Sequence, residues 1–262
     1  MPQLTSQSDV RGARNLRFCY LCGSELQSRK DRHPDHVPPK AIFAIEDRDF
    51  PLKVASCFRC NNSCSPTDEV IGQLVAVSHG QFPDDDNVAI NFQQYDVNGL
   101  ETPFLATIGT NIEYQIKRWT RGFHAALYAE FLPDDTPTAV HPPFPHGQRT
   151  DDGFTIKEVL DQQYLFVDLI KKNRAAGCID QIVSNNGKMR YECVWIQMDH
   201  GPWCSVFALQ LYDWVKLADT NFTRRGCTGW YHPQSGLPER ATTGTNLEFA
   251  FSNEDLLDAF GP

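Results

Sequence analysis

The chain has no long apolar run. Nowhere in its 262 residues does a hydrophobic stretch approach the roughly 18 residues that a membrane span needs. Met1 to Asn15 is polar and lacks the apolar stretch of a secretory leader. A cytoplasmic protein with no membrane partner is therefore expected. Internal repeats and low-complexity tracts are also missing. So is an excess of positive charge: the formal net charge of −9 argues against a protein that coats nucleic acid by electrostatics alone. The distribution of charge says more. Residues 1 to 60 carry ten Lys and Arg against seven Asp and Glu, whereas the rest of the chain carries 14 against 26. A basic segment on an acidic body suits an enzyme that meets a phosphate backbone locally or through a partner. Arg11, Arg14 and Arg17 lie in that segment and read equally well as a solvated arm. An apolar content of 41% suits a globular protein, with room for one large domain or two modest ones.

Of nine cysteines, four fall into two knuckles, Cys19-Tyr-Leu-Cys22 and Cys57-Phe-Arg-Cys60. The other five (Cys64, Cys178, Cys193, Cys204 and Cys227) are scattered and odd in number, which fits a reducing compartment better than a disulfide framework. Cys64 reads as a packing thiol. A Cys-x2-Cys turn lets two thiolates bite one ion, and two such turns complete the tetrahedral four-sulfur shell of structural zinc. Between the knuckles lies His33-Pro-Asp35-His36-Val-Pro-Pro-Lys40, and Asn61 directly follows the last zinc cysteine. Asp35 is a carboxylate able to hold a hard cation. His36 beside it is an imidazole able to take a proton near neutral pH. His33 and Lys40 are candidate substrate contacts, His33 reading equally well as a surface histidine.

These motifs, Cys-x2-Cys, Asp-His-x-Pro-Pro-Lys and Cys-x2-Cys-Asn, resemble those of the zinc-bracketed His-Asn-His (HNH) endonucleases of the ββα-metal fold. The arrangement is similar to the endonuclease VII-like one, with its four-cysteine zinc site. The resemblance covers residues 17 to 72. It implies that Cys19, Cys22, Cys57 and Cys60 hold a structural Zn2+. It further implies that Asp35 and Asn61 hold a catalytic Mg2+ or Mn2+, and that His36 is the general base. The implied reaction is hydrolysis of DNA phosphodiester bonds by in-line attack, leaving a 5′-phosphate and a 3′-hydroxyl with little sequence preference. There is one departure. The family's middle asparagine, which steadies the loop carrying the base, has no counterpart between Phe50 and Ser56, and Ser56 is the candidate substitute.

The expected fold class is α+β. Residues 1 to 16 read as a flexible or partner-ordered basic arm. Residues 17 to 77 read as the zinc-bound ββα-metal (HNH) unit, and residues 78 to 262 as a larger α+β domain with helices and an antiparallel β-meander. Pro34, Pro38 and Pro39 favour extended backbone around the Asp-His pair, and Phe50 to Ala55 is the second strand. A helix is expected from Asn61 to about Val77, with Ser65-Pro66-Thr67-Asp68-Glu69 as a start or restart signal. Alternation from Val88 to Tyr95 suggests a strand. A capping box at Thr110 to Glu113 opens a helix on which Ile112, Ile116, Trp119, Phe123, Leu127 and Phe131 recur, stopped by Pro133. His124 on it reads as a packed core histidine. Residues 133 to 153 read as a surface loop, and Thr155 to Ala176 as a helix stopped by Gly177. Strands are expected at Ile179 to Ser184, Lys188 to Gln197 and Trp203 to Leu217, turning at Asn185-Asn186-Gly187 and His200-Gly201-Pro202. Residues 220 to 246, with Arg224, Arg225, Trp230, His232 and Arg240, read as a polar surface loop or a grip on single-stranded nucleic acid. The tail, Leu247 to Phe260, reads as a last helix or a docking segment.

The functional expectation is a metal-dependent HNH endonuclease acting on DNA. A phage-defence or mobile-element role is expected, with a protein partner or a second copy engaged through the second domain. The alternative is a catalytically inactive, zinc-stabilised interaction module.

Overall fold

Proline at 34 and the Pro38-Pro39 pair exclude helix around Asp35, and the chain there runs extended as β1 (His33–His36). β1 pairs antiparallel with β2 (Lys53–Ser56), His33 opposite Ser56 and His36 opposite Lys53. After Cys57 the chain enters α1 (Phe58–Ser78). This is a computed structural model, and it describes residues 4, 6–49, 52–78, 92–95, 104–107, 112–141, 168–197, 202–211, 226–231, 233 and 236–244. α1 begins three residues before its expected start and passes through Pro66 without restarting. A proline there denies a helical hydrogen bond to the carbonyl of Asn62, and the exposed position of Asn62 lets water take that role.

Two short strands, β3 (Phe92–Tyr95) and β4 (Phe104–Thr107), pair antiparallel. α2 (Ile112–Tyr128) follows. It ends at Ala129, whose φ of 54° closes it in the left-handed conformation, so Phe131 lies beyond the helix and not on its stripe. Phe131 instead packs edge-on against Phe18, ring centroids 6.3 Å apart.

A five-stranded antiparallel sheet follows in the order β5-β9-β8-β7-β6: β5 (Thr138–His141), β6 (Asp180–Ser184), β7 (Met189–Gln197), β8 (Trp203–Leu211) and β9 (Gly226–Tyr231). The β6–β7 turn is the expected Asn185-Asn186-Gly187, all three residues at positive φ, where asparagine and glycine carry little strain. β5 and β9 were not expected, since both fall in stretches that read as loops. Alternation along β7 and β8 buries Tyr191, Trp195 and Phe207 in the same core as α2, and Val194, Cys204 and Val206 with Leu169 and Ile170 of a helical stretch at 168–175. Residues 155–167, 212–217 and 247–260, together with Arg224, Arg225 and His232, lie outside the described residues.

The molecule is thus a mixture of helices and antiparallel sheets, as expected. Among the described residues no helix is long and apolar enough to cross a membrane. The segment read as a flexible arm is folded onto the rest: Val10, Ala13 and Leu16 are buried, and Leu4 bridges to Ile182 of β6. One buried cluster contains residues from 10 to 71 together with α2 and the five-stranded sheet.

Candidate metal centre and adjoining hairpin

The first knuckle closes because Gly23, at φ 72°, lets its own N–H reach the Cys19 carbonyl at 2.8 Å. The second knuckle is the entry to α1, where the Cys60 N–H points at the Cys57 sulfur (3.4 Å). Tyr20 N–H donates to the Ala55 carbonyl of β2 (3.2 Å), which brings the two knuckles together. The four sulfurs lie within 4.8 Å of one another, and Cys22 Sγ is 3.9 Å from Cys57 Sγ. A tetrahedron with Zn–S bonds near 2.3 Å has S···S edges of about 3.8 Å, so this cluster is the right size for a structural metal such as zinc. It is the only such group of His, Cys, Asp or Glu side chains among the described residues. None of the eight described cysteines forms a disulfide. Burial pushes the Cys19 and Cys60 thiols up. On Cys22 burial is outweighed by hydrogen bonding with Ser24 and the neighbouring cysteines, which brings it down to about 6. Four sulfurs this close cannot all ionise without a cation among them, and a dication answers that need.

Asp35 is buried on the inner face of β1. Its Oδ2 accepts from Tyr20 Oη at 2.6 Å and from Arg118 Nη2 at 2.7 Å. Burial pushes the Tyr20 phenol well up, so it stays a donor. Burial opposes the charge on Arg118, but Tyr20, Asp35 and Asp68 outweigh it and the guanidinium stays ionised. Its Nη1 reaches Asp68 of α1 at 2.5 Å. Asp68 also lines a cleft of about 500 Å³ with Arg48, Ser65 and Glu69.

His36, one residue on, ends the strand on the other face, with Lys53 as its cross-strand neighbour. Its Nε2 is buried and makes no hydrogen bond. Burial pulls the imidazole down to about 4. The charges of Lys40 and Lys53, and then Arg14, act in the same direction against Asp35. At neutral pH it is therefore an uncharged imidazole beside cationic side chains. His33 shares the face of Asp35, and its ring meets that of Phe58 edge-on with centroids 5.2 Å apart. Lys40 opens a short 3-10 turn, Lys40–Ile42, and is exposed. Asn61 sits in the first turn of α1, half-buried, its N–H donating to the Cys57 carbonyl. Ser56 Oγ donates to the His33 carbonyl at 2.6 Å, a side-chain tie across the hairpin. Cys64 is buried.

Sequence reasoning missed four contributors. Tyr20 sits inside the first knuckle, where its neighbours draw the eye to sulfur. Gln7 acts as a surrogate strand, its Oε1 accepting from Lys53 N–H (2.7 Å) and its Nε2 donating to the Lys53 carbonyl (3.4 Å). Lys53 is found only once the register is known. Arg118 comes from α2. Its signal was a charge on an amphipathic helix that also buries Gln115, Thr120 and Arg121. No protein-family model matches this chain, and no match is found among curated proteins or solved structures.

Proposed function

We propose that this protein is a metal-dependent endonuclease of the HNH type that hydrolyses DNA phosphodiester bonds, its β1–β2 hairpin and α1 forming a ββα-metal unit around structural zinc. The observation that carries the reading is His36: a neutral imidazole with an unpartnered Nε2, opposite Lys53 across the hairpin and within the positive field of Lys40 and Arg14, next in sequence to a buried carboxylate. A phosphodiester needs positive charge around it and a base for the attacking water. Lys53 and Lys40 supply the first, and His36 the second. Asp35 and Asn61 are the residues that would hold a divalent cation. On Asp35 the hydrogen bonds end on Oδ2, which suits a Mg2+-like ion that takes few protein oxygens and keeps its waters. When bound, such a cation supplies Lewis-acid stabilisation of the phosphate and the leaving oxygen. The side chain of Ser56 steadies the hairpin in the manner the missing asparagine would. Cytoplasmic defence or mobile-element biology, and a partner on the remainder of the chain, belong to the same proposal.

A second reading has its own observation. Asp35 is already paired with Arg118, which is what a purely structural, zinc-stabilised interaction module would show. Nicking of supercoiled plasmid across a Mg2+ and Mn2+ titration separates the two. Under the nuclease reading, His36→Ala loses roughly 10²–10⁴-fold at every metal concentration. Asp35→Ala loses activity that high Mn2+ partly restores, and Asn61→Ala behaves as a milder form of it. A parent protein that nicks nothing favours the module, whereas His36→Ala cutting normally at saturating metal overturns this assignment of the active site.

A further inference from the structure

We propose that Arg118, with Tyr20, is a positioning residue for Asp35: together they hold Oδ2 of the carboxylate so that Oδ1 is presented to a divalent cation. This rests on Asp35 being a cation ligand. The Arg118 side chain has no solvent exposure and is gripped at every nitrogen. Nη2 donates to Asp35, Nε to Tyr20 Oη (3.2 Å), and Nη1 to Asp68 and to Gln115 Oε1 (2.9 Å). A guanidinium held at four points cannot swing, so the oxygen it holds cannot either.

The pairing is one-sided. A carboxylate that serves only to neutralise an arginine commonly meets it fork to fork, using both oxygens. Here Tyr20 and Arg118 converge on the same oxygen. The charge of Arg118 opposes a nearby cation, but Asp68 on its other nitrogen offsets that charge. The Asp35–Arg118–Asp68 row keeps one net negative charge to offer. Hydrogen-bond partners of a ligating carboxylate fix its orientation, and losing one typically costs about 10–100-fold in metal affinity. The ligand on β1 is therefore aimed from α2, 83 residues away in sequence.

The test is Mn2+ binding to the zinc-loaded full-length chain, read from the electron paramagnetic resonance signal of free Mn2+, without DNA or turnover. Arg118→Lys is expected to weaken Mn2+ by about 10–100-fold and Tyr20→Phe by a smaller factor. Asp35→Asn should weaken it too, and Arg118→Lys added to Asp35→Asn should weaken it no further, because arginine acts through aspartate. Zinc content and near-ultraviolet circular dichroism report folding. If Arg118→Lys does not fold, Tyr20→Phe decides, since it removes one oxygen and leaves Arg118 in place. Parent-like affinity in Tyr20→Phe and any folded Arg118→Lys, with Asp35→Asn weakened, overturns the proposal alone, as does additivity in the double variant. Parent-like affinity in Asp35→Asn overturns it together with the ligand assignment beneath it.

Discussion

His124 lies fully buried among the rings of Tyr128, Trp195, Phe207 and Tyr231. Its Nδ1 is 3.0 Å from Tyr191 Oη and its Nε2 3.5 Å from Glu130 Oε2. Burial lowers its affinity for a proton, against the hydrogen bond and charge of Glu130. An unfolded histidine titrates near 6.5, so below that pH the unfolded chain takes up a proton that the folded one refuses. Stability is therefore complete above about pH 6.5 and falls as pH drops towards the folded value. His36, also lowered, contributes in the same direction. Urea midpoints measured from about pH 7 to 5.5 should decline for the parent and decline less for His124→Gln. Equal slopes would remove His124 from the account. Its packing role was legible because it falls within the Ile116–Leu127 apolar spacing. The four clustered cysteines were legible for another reason: the spacing of a knuckle is itself the chemistry. Arg118 was not, since no local pattern says that a buried charge in one helix answers a carboxylate 83 residues earlier.

Elements meet where side chains allow it, and α2 meets the segment just after β1 at a glycine. A Cβ on Gly122 would lie 2.6 Å from Cγ1 of Val37, the residue after His36. Val37 is itself buried, its N–H bonded to the Leu52 carbonyl at 2.9 Å. Gly122→Ala should improve helix propensity by about 1 kcal/mol yet force α2 off the hairpin, and overpacking of this kind costs roughly 1–3 kcal/mol. A net loss of unfolding free energy is expected by urea titration. Gly12→Ala, with nothing within 4 Å of its Cβ, serves as the control without overpacking and should not lose stability. A Gly122→Ala variant as stable as the parent would show that the contact yields freely. Glycine also explains why one strand was missed. β9 reads Gly-Cys-Thr-Gly-Trp-Tyr, a strand pattern broken by two glycines, and Gly229 is there because a Cβ would sit 2.5 Å from the Pro137 carbonyl. β5 is four residues at the sheet edge beyond a proline- and aspartate-rich turn, too short to alternate visibly. β7 and β8, nine residues each, rich in strand formers and set off by turn-forming sequence, were legible.

At the scale of the whole molecule, the cysteine cluster is rooted in the same core as α2 and one face of the five-stranded sheet. Cys19, Tyr20 and Leu21 share a buried cluster with Trp119, Phe123, Tyr191 and Trp195. Arg121 of α2 donates from Nη2 to the Leu21 carbonyl inside the first knuckle and from Nε to the Leu132 carbonyl at 3.0 Å. At the far end, the β6–β7 turn docks on the segment after β1, Asn186 N–H donating to Asp49 at 2.6 Å. A small zinc module standing alone would melt by itself when stripped of metal, because binding on the order of 10–16 kcal/mol supplies its folding free energy. Here the knuckles brace α2 and α2 braces the sheet, so loosening one end should loosen the other. Chelation of zinc, or Cys57→Ser, is expected to lower the melting temperature of the entire chain in one transition. Zinc release, followed with a colorimetric chelator, and the near-ultraviolet signal of the buried Trp119 and Trp195 should change together, since coincident probes mark a single cooperative unit. Zinc leaving in an early step while the tryptophan signal persists to a later one would show instead that the cysteine-bound segment unfolds as a separate domain.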